Sequence, residues 1–541
     1  MGKYTKGIIK QWVAMALLCF IMIVGSGERV RADSIVTYAD NPLKDSPIYN
    51  MYIDLDLDNN RLHGVTSITF VNKNASCAVL WFQLYQNDTG SRLMDIETIT
   101  INDKGVDFTY YNNLVAIYSP VAIDKGERVS VTFTYTAQIQ ECHDQYTFYG
   151  LKDGIFALSR FYPSLVPQMD NGWLTTPNSE IGDPFISDAG YFDVVIKAPI
   201  TQTVLASGEV ARAVVSGNKQ LIRVLAGPAR TFSIVSCDKF GLVTGKHKGI
   251  KIISAYKKGN EKGGLNNLIY TKKALDTFQR LLGKYPYDYI YVCQAPIRSS
   301  GMEYSGMIWI SRARMEEGGS EATVVHEVAH QWWFNSVGSD EYREPWLDES
   351  LARYCEVLYY EKNYGPSHGK THLQNMEQGY IDMTNGQMDM KLGMPLDKYD
   401  GDTYFPIVYE KGAMFQHQLR NAMGSKQYLK ALSKYYKKYM WKIATTKDFE
   451  NTMKEYSRED VSLLFDRWVY QQGTNIRGEK LVVTGSTLPV FNSPDAKSVK
   501  ISLLSDGAIV TAVEKRGDWL KIVTPRGNRG YVYYKGMKAL R

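Results

Sequence analysis

The stretch from residue 324 to 352, VVHEVAHQWWFNSVGSDEYREPWLDESLA, decides how this chain is interpreted. His326 and His330 are four residues apart, so on a helix both imidazoles project from one face and can bind a single Zn²⁺ ion. Glu327 lies beside them and can accept a proton from an attacking water molecule. The spacing therefore predicts a catalytic metal centre built on a helix.

A catalytic zinc needs a third protein ligand and one open coordination position. Glu349 is the candidate, because Pro345 fits the start of a second helix that would hold this carboxylate inward. The alternative is a chance motif on an ordinary helix. Burying two histidines and a glutamate on one helix face would be costly without a metal, which favours a zinc hydrolase with one ion. The burial follows from the apolar neighbours of the motif: Val324, Val325, Val328, Ala329, Trp332 and Trp333.

Length and composition indicate an ordinary folded protein with several domains. The chain has 541 residues, of which 44% are hydrophobic and 22% charged. A chain of this length is too long for one hydrophobic core, and three or four domains are expected.

The N-terminus has the pattern of a secretory signal peptide, predicted over residues 1–32. Three lysines precede an apolar stretch of thirteen residues, and Val30-Arg31-Ala32 offers a small-residue cleavage signal. The stretch is short for a membrane span, although an uncleaved anchor is the alternative. We expect an exported protein, secreted or attached to a bacterial cell surface or wall, with no transmembrane span in the mature chain.

Residues 33–240 are predicted to form an antiparallel β-sandwich. Apolar and polar residues alternate in this part of the chain, which is typical of strands with one buried face. One clear example of the apolar series is Val129, Val131, Phe133 and Tyr135.

Residues 241–476 are predicted to form an α+β domain. Leu268, Leu275 and Phe278 mark one face of a helix, and two strands follow before a loop at Gly301–Tyr304 and the HExxH helix. Ser320 is the predicted N-cap of that helix. Helical patterns then continue to about residue 473.

The C-terminal residues 480–541 are predicted to form a small β-barrel of about five strands. They contain eleven basic and four acidic residues, a net charge of +7, whereas the whole chain carries +6. The predicted signal peptide carries +4, so the rest of the mature chain carries 6 − 4 − 7 = −5, and a basic module follows an acidic remainder.

The motif, with eighteen residues between His330 and Glu349, and preceded by Gly301-Met302-Glu303, resembles the zinc aminopeptidases of the aminopeptidase N and leukotriene hydrolase type, the gluzincins. The resemblance covers about residues 45–475 and implies a thermolysin-like catalytic domain after an N-terminal β domain. It implies zinc ligation by His326, His330 and Glu349, with Glu327 as general base.

The same resemblance implies the substrate contacts. Glu303, within Gly301-Met302-Glu303, corresponds to the glutamate that binds the free α-amino group of a peptide. Tyr409, in a segment similar to the family's Tyr-x-Lys-Gly, corresponds to the tyrosine that stabilises the oxyanion. Peptides with a free N-terminus are the expected substrates.

Two positions depart from the family pattern. Tyr304 replaces an asparagine, and Ile155 stands where a glutamine is usual. These departures keep open a zinc endopeptidase or another hydrolase on the same scaffold. A wall-associated binding protein with a vestigial enzyme fold is a third hypothesis, against which the complete set of candidate site residues argues.

The tail resembles a bacterial SH3-like domain through Gly517–Ile522 and Gly530-Tyr531-Val532, although Tyr531 stands where tryptophan is common. Such modules are associated with cell-wall binding, and a net charge of +7 suits an anionic wall polymer. The alternative is a basic barrel that only packs against the enzyme. Nucleic acid is not an expected partner of an exported protein.

Overall fold

The computed structural model shows a multidomain chain with a β-rich N-terminal region, a helical region and a C-terminal β-sheet region. The predicted signal peptide lies outside the described residues. Two compact units form: the described residues up to Tyr342 together with Leu432–Thr445, and Arg343–Ala431 together with the described residues from Thr446 onward. The structure describes residues 43–89, 91–142, 148–169, 172–177, 179, 181–384, 390–470, 480–484, 487–524 and 529–539.

The N-terminal region contains eighteen strands among the described residues. They are β1 Ile48–Asp56, β2 Arg61–Val71, β3 Cys77–Gln83, β4 Met94–Ile101, β5 Lys104–Gly105, β6 Phe108–Tyr111, β7 Leu114–Ile123, β8 Arg128–Gln138, β9 Tyr149–Lys152, β10 Ile155–Ser159, β11 Ser164–Leu165, β12 Gln168–Met169, β13 Gly172–Trp173, β14 Gly190–Pro199, β15 Thr203–Ala206, β16 Glu209–Ser216, β17 Lys219–Ala229 and β18 Ser233–Cys237. An eight-stranded sheet has the order β16-β17-β14-β1-β2-β8-β4-β5, and two four-stranded sheets have the orders β15-β18-β10-β9 and β11-β3-β7-β6.

The alternation of apolar and polar residues in the sequence appears in the structure as alternating burial of side chains along the strands. In β8 the apolar series from Val129 to Ala137 is buried, and it joins residues of β3 in one core. The rings of Phe82 and Phe133 meet edge to face with centroids 4.9 Å apart. This contact joins the large sheet to the β3 sheet, as expected for two packed layers.

One strand pair departs from the predicted antiparallel pattern. Strands β1 and β14 pair in parallel, with Ile48 opposite Tyr191 and Ile53 opposite Ile196. Parallel neighbours require a long crossover connection, and here more than a hundred residues separate the two strands. Side-chain alternation has the same period in both orientations, so the sequence could not distinguish them.

A five-stranded mixed sheet follows, with the order β19-β20-β21-β23-β22. Its strands are β19 Phe240–His247, β20 Ile250–Lys257, β21 Tyr289–Ala295, β22 Gly301–Tyr304 and β23 Met307–Ser311. The α-helices among the described residues are α1 Glu261–Leu281, α2 Arg312–Glu316, α3 Glu321–Ala329, α4 Trp346–Tyr364, α5 Pro366–Thr384, α6 Gly412–Met423, α7 Ser425–Tyr439, α8 Thr446–Tyr456 and α9 Ser462–Phe465, with π-helical segments at Phe405–Lys411 and Asp466–Tyr470.

The prediction of a loop at Gly301–Tyr304 was wrong. These residues form β22, an edge strand that pairs with β23 in antiparallel register. The two strands are joined by Ser305 and Gly306, and Gly306 has φ of 69°, a left-handed conformation that favours glycine. A strand of four residues is too short to show a clear alternation in the sequence.

The described C-terminal residues form seven strands, rather than the five or so predicted. Their sheet has the order β26-β25-β29-β28-β27-β24-β30 and encloses a separate core that includes Leu481, Val510 and Leu520. The domain boundaries near residues 240, 476 and 480 stay predictions. The strands are β24 Lys480–Val483, β25 Leu488–Phe491, β26 Lys500–Leu504, β27 Ile509–Arg516, β28 Trp519–Val523, β29 Arg529–Tyr533 and β30 Met537–Ala539.

Candidate metal centre

The HExxH motif lies at the C-terminal end of the short helix α3. Ser320 is the N-cap, as predicted, and its hydroxyl accepts a hydrogen bond from the Thr323 amide. His326 lies in the last turn, and His330 is the C-cap residue with φ of −62° and ψ of −14°. Because this conformation is still helical, the two imidazoles remain on one face, and their Nε2 atoms are 3.1 Å apart.

The geometry of the two histidines fits a shared metal ion. Two nitrogens bound to one tetrahedral zinc at about 2.0–2.1 Å are about 3.3 Å apart. His330 Nδ1 lies 3.3 Å from the Trp333 carbonyl oxygen and 3.7 Å from Glu303 Oε1. A proton on Nδ1 can face these two oxygens, which leaves the Nε2 lone pair for a metal.

Strand β22 presents alternate residues to the HExxH helix. A Cβ atom built on Gly301 would lie 2.2 Å from Glu327 Oε1, so only glycine allows the Glu327 carboxylate to lie this close. Glu303, two residues further on, lies beside His330 and is buried. The first unit therefore brings Gly301 and Glu303 together with His326, Glu327 and His330.

The other two residues of β22 belong to the opposite face of the strand. Met302 is buried, and the ring of Tyr304 meets that of Trp309 with centroids 4.5 Å apart. Burial raises the pKa of the Tyr304 hydroxyl well above its usual value. The substitution of asparagine by Tyr304 thus falls on the face that does not carry Glu303.

Gln331 attaches the end of the motif to the β22–β23 turn. Its side-chain amide donates to the Tyr304 carbonyl oxygen at 3.0 Å, and its Oε1 accepts from the Gly306 amide at 2.9 Å. Both bonds are buried. The prediction from sequence missed this residue, although an amide directly after His330 was the available signal.

Ile155 is buried in β10 and offers no amide side chain. It lines a cavity of about 360 Å³ in the first unit, whose other lining residues include Lys152, Asp153, Arg298 and Arg312. Arg312 donates to Asp153 Oδ2 at 2.6 Å, so part of the positive charge of this cavity is neutralised internally.

The second unit holds the remaining two candidates. Pro345 is the N-cap of α4, as the sequence indicated for the start of this helix, and Glu349 lies buried in its first turn. Tyr409 lies in the π-helical segment Phe405–Lys411, and its hydroxyl donates to Glu349 Oε1 at 2.6 Å. The π-helical geometry was not predicted, because it has no clear signature in residue type.

The electrostatic surroundings of Tyr409 include a second buried group of charges. Arg353, one turn after Glu349 on α4, donates to Glu356 and to Glu410. Burial raises the pKa of the Glu410 carboxyl, and Arg353 opposes this shift. None of these three residues was singled out from the sequence, since charged residues on helices are most often solvent-exposed.

Two facing imidazoles with buried carboxylates beside them define a metal centre of the HExxH class. Residues 267–468 match the peptidase family M1 domain, and this match supports a zinc metallopeptidase of the aminopeptidase N type. Zinc is therefore the cofactor that the centre implies.

Curated relatives of this part of the chain are aminopeptidases. Over 217 residues, the chain is 30% identical to aminopeptidase N of Lactococcus lactis subsp. lactis, covering 37% of this chain and 25% of the relative. It is 29% identical over 177 residues to glutamyl aminopeptidase of Homo sapiens, covering 29% of this chain and 17% of the relative. The chain thus spans a quarter or less of the length of these curated relatives.

The fold is similar to that of the M1 zinc metallopeptidase from Deinococcus radiodurans, with a TM-score of 0.60 and 17% identity. This similarity covers 80% of the chain and 95% of the solved structure. In the part of the chain that the structure describes, no helix has the length and apolar character needed to cross a membrane.

Proposed function

We propose that this chain is an exported zinc aminopeptidase that removes N-terminal residues from peptides. One observation carries the proposal: the buried Glu303 carboxylate lies 3.7 Å from His330, whose Nε2 faces that of His326. A carboxylate beside a metal-binding pair favours a substrate ammonium at a fixed distance from the scissile bond.

We assign the zinc ligands as His326, His330 and Glu349. These residues would hold the ion, which when bound would polarise the scissile carbonyl and lower the pKa of the attacking water. Glu327 takes the proton of that water and returns it to the leaving amine, which is general base and then general acid catalysis by one carboxylate.

Tyr409 has the role of stabilising charge on the carbonyl oxygen in the transition state. Its hydroxyl donates to Glu349 Oε1 at 2.6 Å, so the phenol is already directed at the carboxylate of a proposed ligand. In the proposed mechanism, the hydroxyl turns from this carboxylate and donates its proton to the substrate oxygen. Backbone atoms of Gly301 and Met302, in the edge strand, are proposed to line the substrate.

The test of the catalytic assignment is Glu327→Gln, with Glu321→Gln on the same helix as the matched control. We expect the Glu327 variant to lose at least about 10³-fold in kcat while it retains one zinc ion per chain, because the base is removed and the ligands are kept. The control should keep its turnover. Wild-type turnover in Glu327→Gln would overturn the assignment.

Exopeptidase specificity is tested separately with matched substrates that have a free or an acetylated N-terminus. The zinc endopeptidase alternative retains support from Ile155, which offers no polar group where the resemblance leads one to expect glutamine. We expect only the substrate with the free N-terminus to be cleaved. The substitution Glu303→Gln should raise KM for this substrate. Equal cleavage of the two substrates would favour the endopeptidase.

We further propose that residues 480–541 form an SH3-like domain that binds an anionic wall polymer. The net charge of +7 supports this, whereas one contact favours the alternative of a barrel that only packs on the enzyme. Arg529, in β29, forms an ion pair with the buried Glu377 of α5, so part of the basic charge is used within the chain. Deletion of residues 480–541 should abolish co-sedimentation with cell walls; unchanged retention would refute wall binding.

Export is supported by the N-terminal sequence. Fractionation of the producing cell with N-terminal sequencing is the test, and a mature chain that begins at Asp33 is the expected result. Recovery of the uncleaved chain with the membrane would support the anchor instead.

A further inference from the structure

Arg353 connects two elements of the second unit that carry proposed site residues. Its Nη1 donates to both carboxylate oxygens of Glu356 at 2.9 Å, and its Nη2 donates to Glu410 Oε1 at 2.7 Å. The side chains of the two glutamates are 1% and 5% exposed, and that of Arg353 is 20% exposed. The guanidinium therefore forms a fork between two buried carboxylates, a geometry that lysine cannot reproduce.

The position of this fork relative to Tyr409 is specific. Tyr409 and Glu410 are consecutive in the π-helical segment, and they bind α4 residues one turn apart. Tyr409 donates to Glu349, and Glu410 accepts from Arg353, four residues further along α4. Two adjacent hydrogen-bonded links thus fix the rotation of the π-helical segment against α4.

Three further contacts stiffen the same arrangement. The ring of Phe405 stacks on that of Tyr409 with centroids 4.9 Å apart and an interplanar angle of 26°. The Arg353 guanidinium carbon lies 5.7 Å from the centre of the Phe405 ring, within the range of a cation–π interaction. On the other side, His372 of α5 lies 2.8 Å from Glu356 through its Nε2 atom.

We propose that Arg353 is a positioning residue that holds the Tyr409 hydroxyl in its catalytic place through Glu410 and Phe405. The inference rests on the proposed function, since it gives Arg353 a role only through Tyr409. Arg353 itself contacts no reacting atom. Loss of the fork frees the π-helical segment to rotate, and a displacement of about 1 Å at a catalytic group can cost about 10²-fold in rate.

The test is a double-mutant cycle on kcat with Arg353→Met and Tyr409→Phe. We expect Tyr409→Phe to lose about 10²- to 10³-fold, as for removal of an oxyanion donor. Arg353→Met should lose about 10²-fold in the wild-type background, with KM within about twofold, but less than about twofold in the Tyr409→Phe background. Arg353→Lys keeps the charge and should recover part of the loss.

Arg420→Met is the matched control, because Arg420 also forms an ion pair with a glutamate of α4, Glu361, at 2.9 Å. Its effect on kcat should be the same in both Tyr409 backgrounds. If Arg353→Met does not fold, the cycle with Arg353→Lys makes the same test.

Two results would overturn the inference, and they are distinguishable. An Arg353 effect of equal size in both Tyr409 backgrounds would refute the positioning role and leave the proposed function intact. Wild-type turnover in Tyr409→Phe would remove the proposed catalytic role of Tyr409 and the inference with it.

Discussion

The substitution Gly301→Ala tests how closely strand β22 approaches the proposed general base. The new Cβ atom would lie 2.2 Å from Glu327 Oε1 and 2.6 Å from its Cδ and Cγ atoms. To restore an ordinary contact of 3.4 Å, the Glu327 carboxylate must retreat by about 1.2 Å. A side-chain end can move this far at little cost in stability, so the loss should fall on catalysis. From the effect of a 1 Å misplacement, we expect kcat to fall about 10²-fold, or about 2.7 kcal/mol in activation free energy.

The assay combines kcat on an aminoacyl fluorogenic substrate with zinc content and the midpoint of thermal unfolding. Zinc content should be unchanged, because the three atoms nearest the new methyl group all belong to Glu327, which is not a proposed ligand. Gly105→Ala is the control, since a Cβ atom at this strand position meets nothing within 4 Å. If Gly301→Ala keeps wild-type kcat with full zinc content, catalysis does not depend on the present position of the Glu327 carboxylate. That result would refute the proposed requirement for glycine at residue 301.

Three further predictions concern stability. Arg230→Met should lower the free energy of unfolding in urea by at least about 3 kcal/mol, because the buried guanidinium donates to the backbone oxygens of Ser187, Phe334, Ser336 and Lys442, which would lose their donor. Ser320→Ala should lower it by about 1 kcal/mol, measured in the same way, because α3 loses its N-cap. Burial, followed by the charges of Arg420 and Lys521, lowers the pKa of His417 to about 4 from 6.5. Between these pH values the unfolded chain binds the proton more readily, so the free energy of unfolding should fall as the pH falls from about 6.5 to 4. His417→Gln should flatten this slope in urea titrations at each pH, and an unchanged slope would contradict the assignment.

The helix of the metal motif was predictable because its signals are local. The spacing of His326 and His330 follows from the helical repeat, and the Ser320 hydroxyl accepts a hydrogen bond from one first-turn amide of that helix, that of Thr323. The start of α4 at Pro345 is of the same kind. In each case the interaction that decides the structure spans a few residues, so the sequence contains it directly.

The structural features that could not be predicted from the sequence depend on contacts between residues far apart in the chain. The parallel pairing of β1 and β14 leaves no mark in the alternation of either strand. Strand β22 is determined by its pairing with β23 and by Gln331, rather than by its own four residues. In the sequence, Arg353 cannot be distinguished from a surface arginine. Its role depends on Glu410, which lies 57 residues later in the chain and contacts it only in the folded protein.

The π-helical segment Phe405–Lys411 has a consequence for chain length. A π-helical turn closes on the fifth residue rather than the fourth, so the segment contains more chain than an α-helix would at the same rise. Deleting a single residue between Phe405 and Tyr409 would turn the tyrosine by about a quarter of a turn around the axis, relative to the preceding chain. Within this short segment the number of residues is therefore as strict a requirement as their identity, and a one-residue deletion should be as damaging as the loss of the phenol itself.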